Sequence, residues 1–160
     1  MDMKYKITPM DDSIAKTVST WRYPGDYSVY NLPSYEAMKE QNFAILDKSR
    51  NGNYTCFWDS DNQLVAYVNI TPKSENTVFL GIALAPCFCG KGKGAEILNM
   101  GVDIIKARYP GCLIKLNVRA WNIRAIKCYA SIGFTIDKTE IITDYKGVPT
   151  EFVTMSMQLV

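Results

Sequence analysis

The sequence predicts an α/β fold of the α+β kind: one domain, residues 1–160, in which helices flank a mixed, mostly antiparallel sheet. Three observations lead there. Short apolar runs separated by turn residues join consecutive strands as hairpins. One strand, residues 78–84, is followed by a long amphipathic helix and another strand, the pattern of a single crossover. No repeat, linker or low-complexity tract divides the 160 residues, a length usual for one domain.

Each element follows from local chemistry. Residues 4–8 read as a short opening strand. Asp11 or Asp12 caps a helix to about Trp21, with Ile14, Val18 and Trp21 along one face. Residues 21–30, dense in aromatic and turn residues, read as a loop. Ser34 caps a second helix, with Glu36 in its first turn, where the helix dipole favours an acid. Residues 54–59 and 63–71 pair as a hairpin around Ser60, Asp61 and Asn62. The apolar strand 78–84 is broken at Pro86. A helix from about 92 to 108 places Leu98, Val102 and Ile105 on one stripe, and Tyr109, Pro110 and Gly111 end it. Residues 113–118 form another strand, and 124–132 a short helix closed by Gly133. Strands 134–143 and 151–159 make the final pair.

Composition removes several function classes. A hydrophobic fraction of 48% supplies a core, yet no apolar run approaches the roughly 18 residues of a membrane span. The opening residues lack the apolar stretch of a secretory signal, so a cytoplasmic location is expected. A net charge of +2 is too small to indicate nucleic acid or an anionic membrane. Cys56, Cys87, Cys89, Cys112 and Cys128 are an odd set without a paired framework, which suits a reducing compartment. Histidine is absent, which excludes a Ser-His or Cys-His nucleophile pair. With no second cysteine pair, no metal site is expected. The sequon at Asn53, Tyr54 and Thr55 is only a string match.

The chemistry concentrates in two segments. Gly90, Gly92 and Gly94 alternate with Lys91 and Lys93 between an apolar strand and a helix. A helix start exposes partnerless N–H groups and partial positive charge, and glycines let a phosphate approach them. A plain glycine-rich turn is the simpler alternative. A P-loop would end in Gly-Lys-Ser/Thr, where Gly94, Ala95 and Glu96 stand. Gly90, Gly92 and Ala95 fit the dinucleotide spacing, but residues 86–89 separate them from the strand. The ribose-binding acid is replaced by Asn117.

The run Gly81-Ile82-Ala83-Leu84-Ala85-Pro86, followed by Gly90-Lys91-Gly92-Lys93-Gly94, resembles the acetyl-CoA-binding motif of the GNAT N-acetyltransferases, Arg/Gln-x-x-Gly-x-Gly/Ala. Gly92 and Gly94 match its glycines, and Cys89 replaces Arg/Gln. Asn122, Ala125, Tyr129, Gly133 and Phe134 fit the family's second block, N-x-x-A-x-x-x-Y-x-x-x-G-F, at every fixed position. The resemblance spans about 63–134, the expected cofactor-binding core of a GNAT-like domain. It implies that Ile82, Ala83 and Leu84 offer backbone groups to the thioester and pantetheine arm. Main-chain N–H groups of Gly90, Lys91, Gly92, Lys93, Gly94 and Ala95 would cradle the pyrophosphate. Asn122 would contact the cofactor arm, while its position alone makes it an N-cap. Tyr129 would be the general acid, since a phenol near pKa 10 can protonate a thiolate near about 8.5; a core tyrosine beside Ile126 and Ala130 is the alternative.

The implied activity is transfer of acetyl from acetyl-CoA directly to an amine, with no metal and no nucleic-acid or membrane partner. A lysine-like acceptor would lose about 4.6 kcal/mol to deprotonation at pH 7, an α-amine only about 1.4. Relatives that acetylate protein N-termini often carry a glutamate where Asn117 stands. A low-pKa amine, a water chain or a distant carboxylate would have to substitute. Asp26, Glu36, Asp144 and Glu151 are available, each more simply a solvated loop or cap residue. Trp21, Tyr23, Tyr27 and Tyr30 lie where this family usually builds its acceptor pocket; they either grip a cation or apolar side chain or pack on the sheet. Two rival functions stay open: a protein N-terminal (ribosomal-protein-like) acetyltransferase, and a non-catalytic CoA-binding sensor, motivated by Cys89 and Asn117. A nucleotide oxidoreductase is more distant. Pairing through the C-terminal strands, common in the family, would give a homodimer.

Overall fold

Apolar alternation and turn chemistry produce seven strands and four α-helices in the computed structural model, which describes residues 4–160. The three residues before Lys4, part of the opening judged above for a leader, lie outside the described residues. In chain order the elements are β1 (Lys6–Thr8), α1 (Asp12–Val18), α2 (Tyr35–Glu40), β2 (Tyr54–Trp58), β3 (Leu64–Ser74) and β4 (Thr77–Leu84). Then come α3 (Lys93–Arg108), β5 (Leu113–Arg119), α4 (Ile123–Ser131), β6 (Thr135–Thr143) and β7 (Pro149–Gln158). The strand order is β1-β2-β3-β4-β5-β7-β6. β4 and β5, joined through α3, pair parallel, whereas β1–β2, β5–β7 and β6–β7 are antiparallel. The chain divides into two compact units, Met1–Val68 with Ile82–Lys93, and Asn69–Gly81 with Gly94–Val160.

In the first unit, Asp11 caps α1 by accepting from the Ile14 N–H at 2.8 Å. The helix buries Ile14, Ala15 and Val18 and stops at Val18, short of Trp21. The reason is local: the Ser19 and Thr20 hydroxyls turn back onto the Lys16 and Thr17 carbonyls, both at 2.6 Å, an alternative to helix continuation. Trp21 still packs on the core formed by Met10, Ile14, Val18, Met38, Cys56 and Leu64. Burial there pushes the Cys56 thiol up to about 12, so it behaves as a small hydrophobe. Ser34 caps α2 through the Ala37 N–H at 3.2 Å. Within the expected loop, Gly25–Tyr30 winds into a 3-10 turn, and two more, Ala44–Leu46 and Lys48–Asn53, precede β2. The β2–β3 turn is the expected one: the Asp59 carboxylate accepts from the Asp61 and Gln63 N–H groups, both at 2.9 Å.

In the second unit, α3 buries Ile97, Leu98, Val102 and Ile105, and β5 buries Ile114, Leu116 and Val118 at alternate positions. The parallel register of β4 with β5 runs from Thr77 opposite Leu113 to Phe79 opposite Lys115 and ends there. β6 pairs β7 through a bulge at Asp137, whose carboxylate accepts from the Ser156 hydroxyl at 2.8 Å. The turn between them is organised by Asp144, which accepts from the Lys146 and Val148 N–H groups at 2.9 Å. Asp144 also pairs with Arg119 at 3.3 Å, both side chains nearly buried.

The Val148 N–H first, then the Lys146 N–H and Arg119, hold the Asp144 carboxyl below its ordinary value of 3.8. A carboxylate with a depressed native pKa stabilises the fold above its unfolded value, and that contribution disappears as pH falls through the native one. Asp144→Asn should lower the thermal midpoint at pH 7. It should also flatten the further loss of stability below about pH 3.8. Unchanged acid sensitivity in the variant would remove Asp144 from this role.

Candidate active site

In the first unit, Ile82, Ala83 and Leu84 form the half-buried end of β4. The strand is held there from two directions. The Ala85 N–H donates to the Val65 carbonyl at 2.8 Å, and the Tyr23 hydroxyl donates to the Leu84 carbonyl at 2.5 Å. Pro86–Phe88 then makes a 3-10 turn. Cys89 closes it, its N–H on the Pro86 carbonyl at 3.2 Å and its thiol 3.7 Å from the Ala85 carbonyl. Thus the residue at the family's Arg/Gln position bonds back to the strand end.

Gly90 and Gly92 both adopt left-handed backbone, φ +74° and +76°. A Cβ on either would meet nothing within 4 Å. Glycine is needed for the conformation itself, not to clear space for a neighbour. Such reversals before a helix point successive N–H groups toward one concavity, a cradle for an anion. α3 begins at Lys93, followed by Gly94 and Ala95, with Glu96 completing its first turn. Lys91 is exposed, and the Lys93 ammonium lies 5.8 Å from the Tyr5 ring centroid.

In the second unit, Asn122 is the N-cap of α4, its side-chain oxygen accepting from the Ala125 N–H at 3.2 Å. It is buried, at 7% exposure. Tyr129 lies seven residues on, two turns along the same face. It is half-buried, and its ring meets Phe134 edge to face at 6.1 Å and 68°. The Tyr129 carbonyl accepts from the Phe134 N–H at 3.1 Å. The second block is therefore a capped helix whose end is fastened to the next strand. Asn117, on the exposed face of β5, accepts from the Thr154 hydroxyl at 3.0 Å. Of the carboxylates weighed as bases, Asp26, Glu36 and Glu151 are exposed, and Asp144 is committed to its turn and Arg119. Among the described residues, no group of three or more Cys, Asp or Glu side chains is arranged to hold a metal ion.

Sequence reasoning placed Trp21, Tyr23, Tyr27 and Tyr30 in one loop without separating them. Trp21 stacks on Tyr67, at 6.2 Å and 18°. Tyr23 bonds the end of β4 through its hydroxyl. No local signal reveals that contact, because the partners are 61 residues apart. The capping geometry gives a direct check. Asn122→Ala should destabilise the fold by about 1 kcal/mol, while Asn122→Asp should retain most of it, as read by chemical denaturation.

The described helices contain none long and apolar enough to cross a membrane. Comparison with curated proteins returns no match. Among solved structures, the chain is similar to a chimera of the spermidine N-acetyltransferase from Vibrio cholerae and hSSAT. That match has 16% identity, covers 98% of this chain and 96% of the other, and has a TM-score of 0.74. It is also similar to a ribosomal-protein-S5-alanine acetyltransferase from Vibrio fischeri, at 16% identity over 99% of this chain and 94% of the other, TM-score 0.69. At such identities the likeness establishes the fold. The family model for GNAT acetyltransferases matches residues 16–134, well over half of the sequence. The chain therefore belongs to the GNAT acetyltransferase family, the acetyl-CoA-dependent acyltransferases.

Proposed function

We propose that the protein transfers acetyl from acetyl-CoA directly to the nitrogen of an amine, without a covalent enzyme intermediate. The observation that carries this is the order along residues 82–95: a strand end, two left-handed glycines, then the first turn of α3. That backbone fits the chemistry of a diphosphate, because it presents N–H donors beside Lys91 and Lys93. In this proposal Ile82, Ala83 and Leu84 meet the thioester and arm through main-chain groups. Gly90, Lys91, Gly92, Lys93, Gly94 and Ala95 take the pyrophosphate. Asn122 caps α4 and contacts the arm. The amine attacks the carbonyl carbon, the carbon–sulfur bond breaks, and Tyr129 protonates the departing thiolate. The whole chain, 1–160, works as one acetyltransferase domain with 63–134 as its cofactor-binding core.

No side chain is assigned as base. Asn117 has no proton affinity to offer, and its oxygen already accepts from Thr154. In this proposal the amine arrives neutral, so kcat/KM should rise with pH up to the acceptor's own pKa. That favours an α-amine over a lysine-like one by about 3 kcal/mol at pH 7, which supports acetylation of a protein N-terminus as a second reading. Asn117 also motivates a third, a CoA-binding sensor without turnover. The five free thiols suit a cytoplasmic location. A homodimer would pair through the C-terminal strands, where β6 ends the strand order and exposes Ile136 and Ile141.

Thermal shift with CoA, followed by thiol release from acetyl-CoA with polyamines, amino acids and peptides, tests the proposal. Stabilisation by CoA with release on one amine class supports it. CoA binding without release across the panel favours the sensor. Tyr129→Phe should lower turnover by about 100-fold or more and leave CoA affinity near that of the parent. Unchanged turnover at saturating acceptor would remove Tyr129 as the acid.

A further inference from the structure

Tyr23 lies in the loop between α1 and α2, yet its hydroxyl reaches the Leu84 carbonyl at 2.5 Å, the short end of the O–H···O range. The direction of that carbonyl matters. In extended backbone, the N–H and C=O of one residue face one side and those of the next residue face the other. The Ala85 N–H is taken by Val65 of β3, so the Leu84 C=O points away from β3, to the other edge of β4. The phenol therefore stands on the strand edge that the thioester and arm are proposed to use.

The residue is also anchored. Its N–H donates to the Asn31 side-chain oxygen at 2.8 Å. Two residues earlier, Trp21 stacks on Tyr67, which in turn meets Tyr54 at 5.7 Å. Burial first, then the neighbouring Cys89 thiol, push the phenol well above its ordinary range, so it stays neutral. A phenol has one proton, and here it is committed to Leu84. What remains is a lone pair, so toward any ligand Tyr23 acts as an acceptor.

We infer that Tyr23 is a binding residue for the acyl-CoA arm: its oxygen, seated on the Leu84 carbonyl, accepts from the N–H of the pantetheine amide nearest the thiol in place of that carbonyl. The assignment rests on the proposed role of residues 82–84. It brings the α1–α2 loop into the cofactor site.

The test is CoA affinity by calorimetry for wild type and Tyr23→Phe, with CoA and with an analogue whose amide nearest the thiol is an ester. Y23F should bind CoA about three- to tenfold more weakly. Wild type should lose a similar factor on the ester analogue, and Y23F should lose little more, since the two changes delete the same hydrogen bond. Equal or tighter CoA binding by Y23F overturns the inference, because the phenol would then be idle or in the way. Leu84-Ala85 is the only Leu-Ala step in the sequence, so carbonyl-labelled leucine with nitrogen-labelled alanine gives one NMR correlation for this peptide. CoA should leave wild type distinct from the Y23F position; a move to that position means the phenol has left, and overturns the inference. Should Y23F fail to fold, the signal on wild type still decides: loss of the Tyr23-bonded shift on adding CoA, or equal affinity for CoA and the ester analogue, counts against it. Absence of CoA binding by wild type would defeat the acetyltransferase proposal itself, whereas CoA binding indifferent to Y23F defeats only the role of Tyr23.

Discussion

Backbone N–H and C=O groups away from water must find partners, and the end of β4 meets that demand in an unusual way. Its parallel register with β5 stops at Phe79, while the strand continues to Leu84. Past that point the chain relies on Val65 for the Ala85 N–H and on a side chain, Tyr23, for the Leu84 carbonyl. Everything downstream starts from this fixed strand end. The turn at Pro86, the return of Cys89 to the Ala85 carbonyl and the two left-handed glycines each continue from it.

The second block shows how one residue carries a structural duty whatever else it does. Asn122 is buried and caps α4, which fixes the helix start. Tyr129 then follows on the same face, and Phe134 holds the far end through ring and backbone contacts. Fixed spacing in the block is what this geometry requires: a cap, two helical turns, a glycine at φ +116° and an aromatic anchor. Asn117 stands apart from that logic. It is tied to Thr154 across β5 and β7, so the strand position that could have carried a proton acceptor carries a cross-strand link.

Much of this was legible because it is local. Of the two candidates Asp11 and Asp12, Asp11 caps α1; Ser34 caps α2 as expected, and Asp59 closes the expected hairpin turn. The stripe of Leu98, Val102 and Ile105 is the buried face of α3. Local chemistry also explains an error: the Ser19 and Thr20 hydroxyls end α1 before Trp21, a competition that apolar spacing does not register. Contacts between distant segments were not legible. Tyr23 with Leu84 and Arg119 with Asp144 join residues far apart in the chain, and nothing in their immediate sequence names the partner. In the site, spacing identified the glycine turn and the Asn122–Tyr129 face. At Gly90 and Gly92 the left-handed backbone by itself calls for glycine, a demand that spacing alone does not reveal.

The irregularity at Asp137 has a consequence for solution behaviour. A terminal strand is a template for further chains, and β6 is a long one whose residues are mostly exposed. Asp137 interrupts its repeat, and the Lys138–Glu140 ion pair places charge beside the interruption. Kinks and charges on an outer strand discourage open-ended accretion of copies into fibrils. The chain can thus expose Ile136 and Ile141 at its margin and resist amyloid-like growth there.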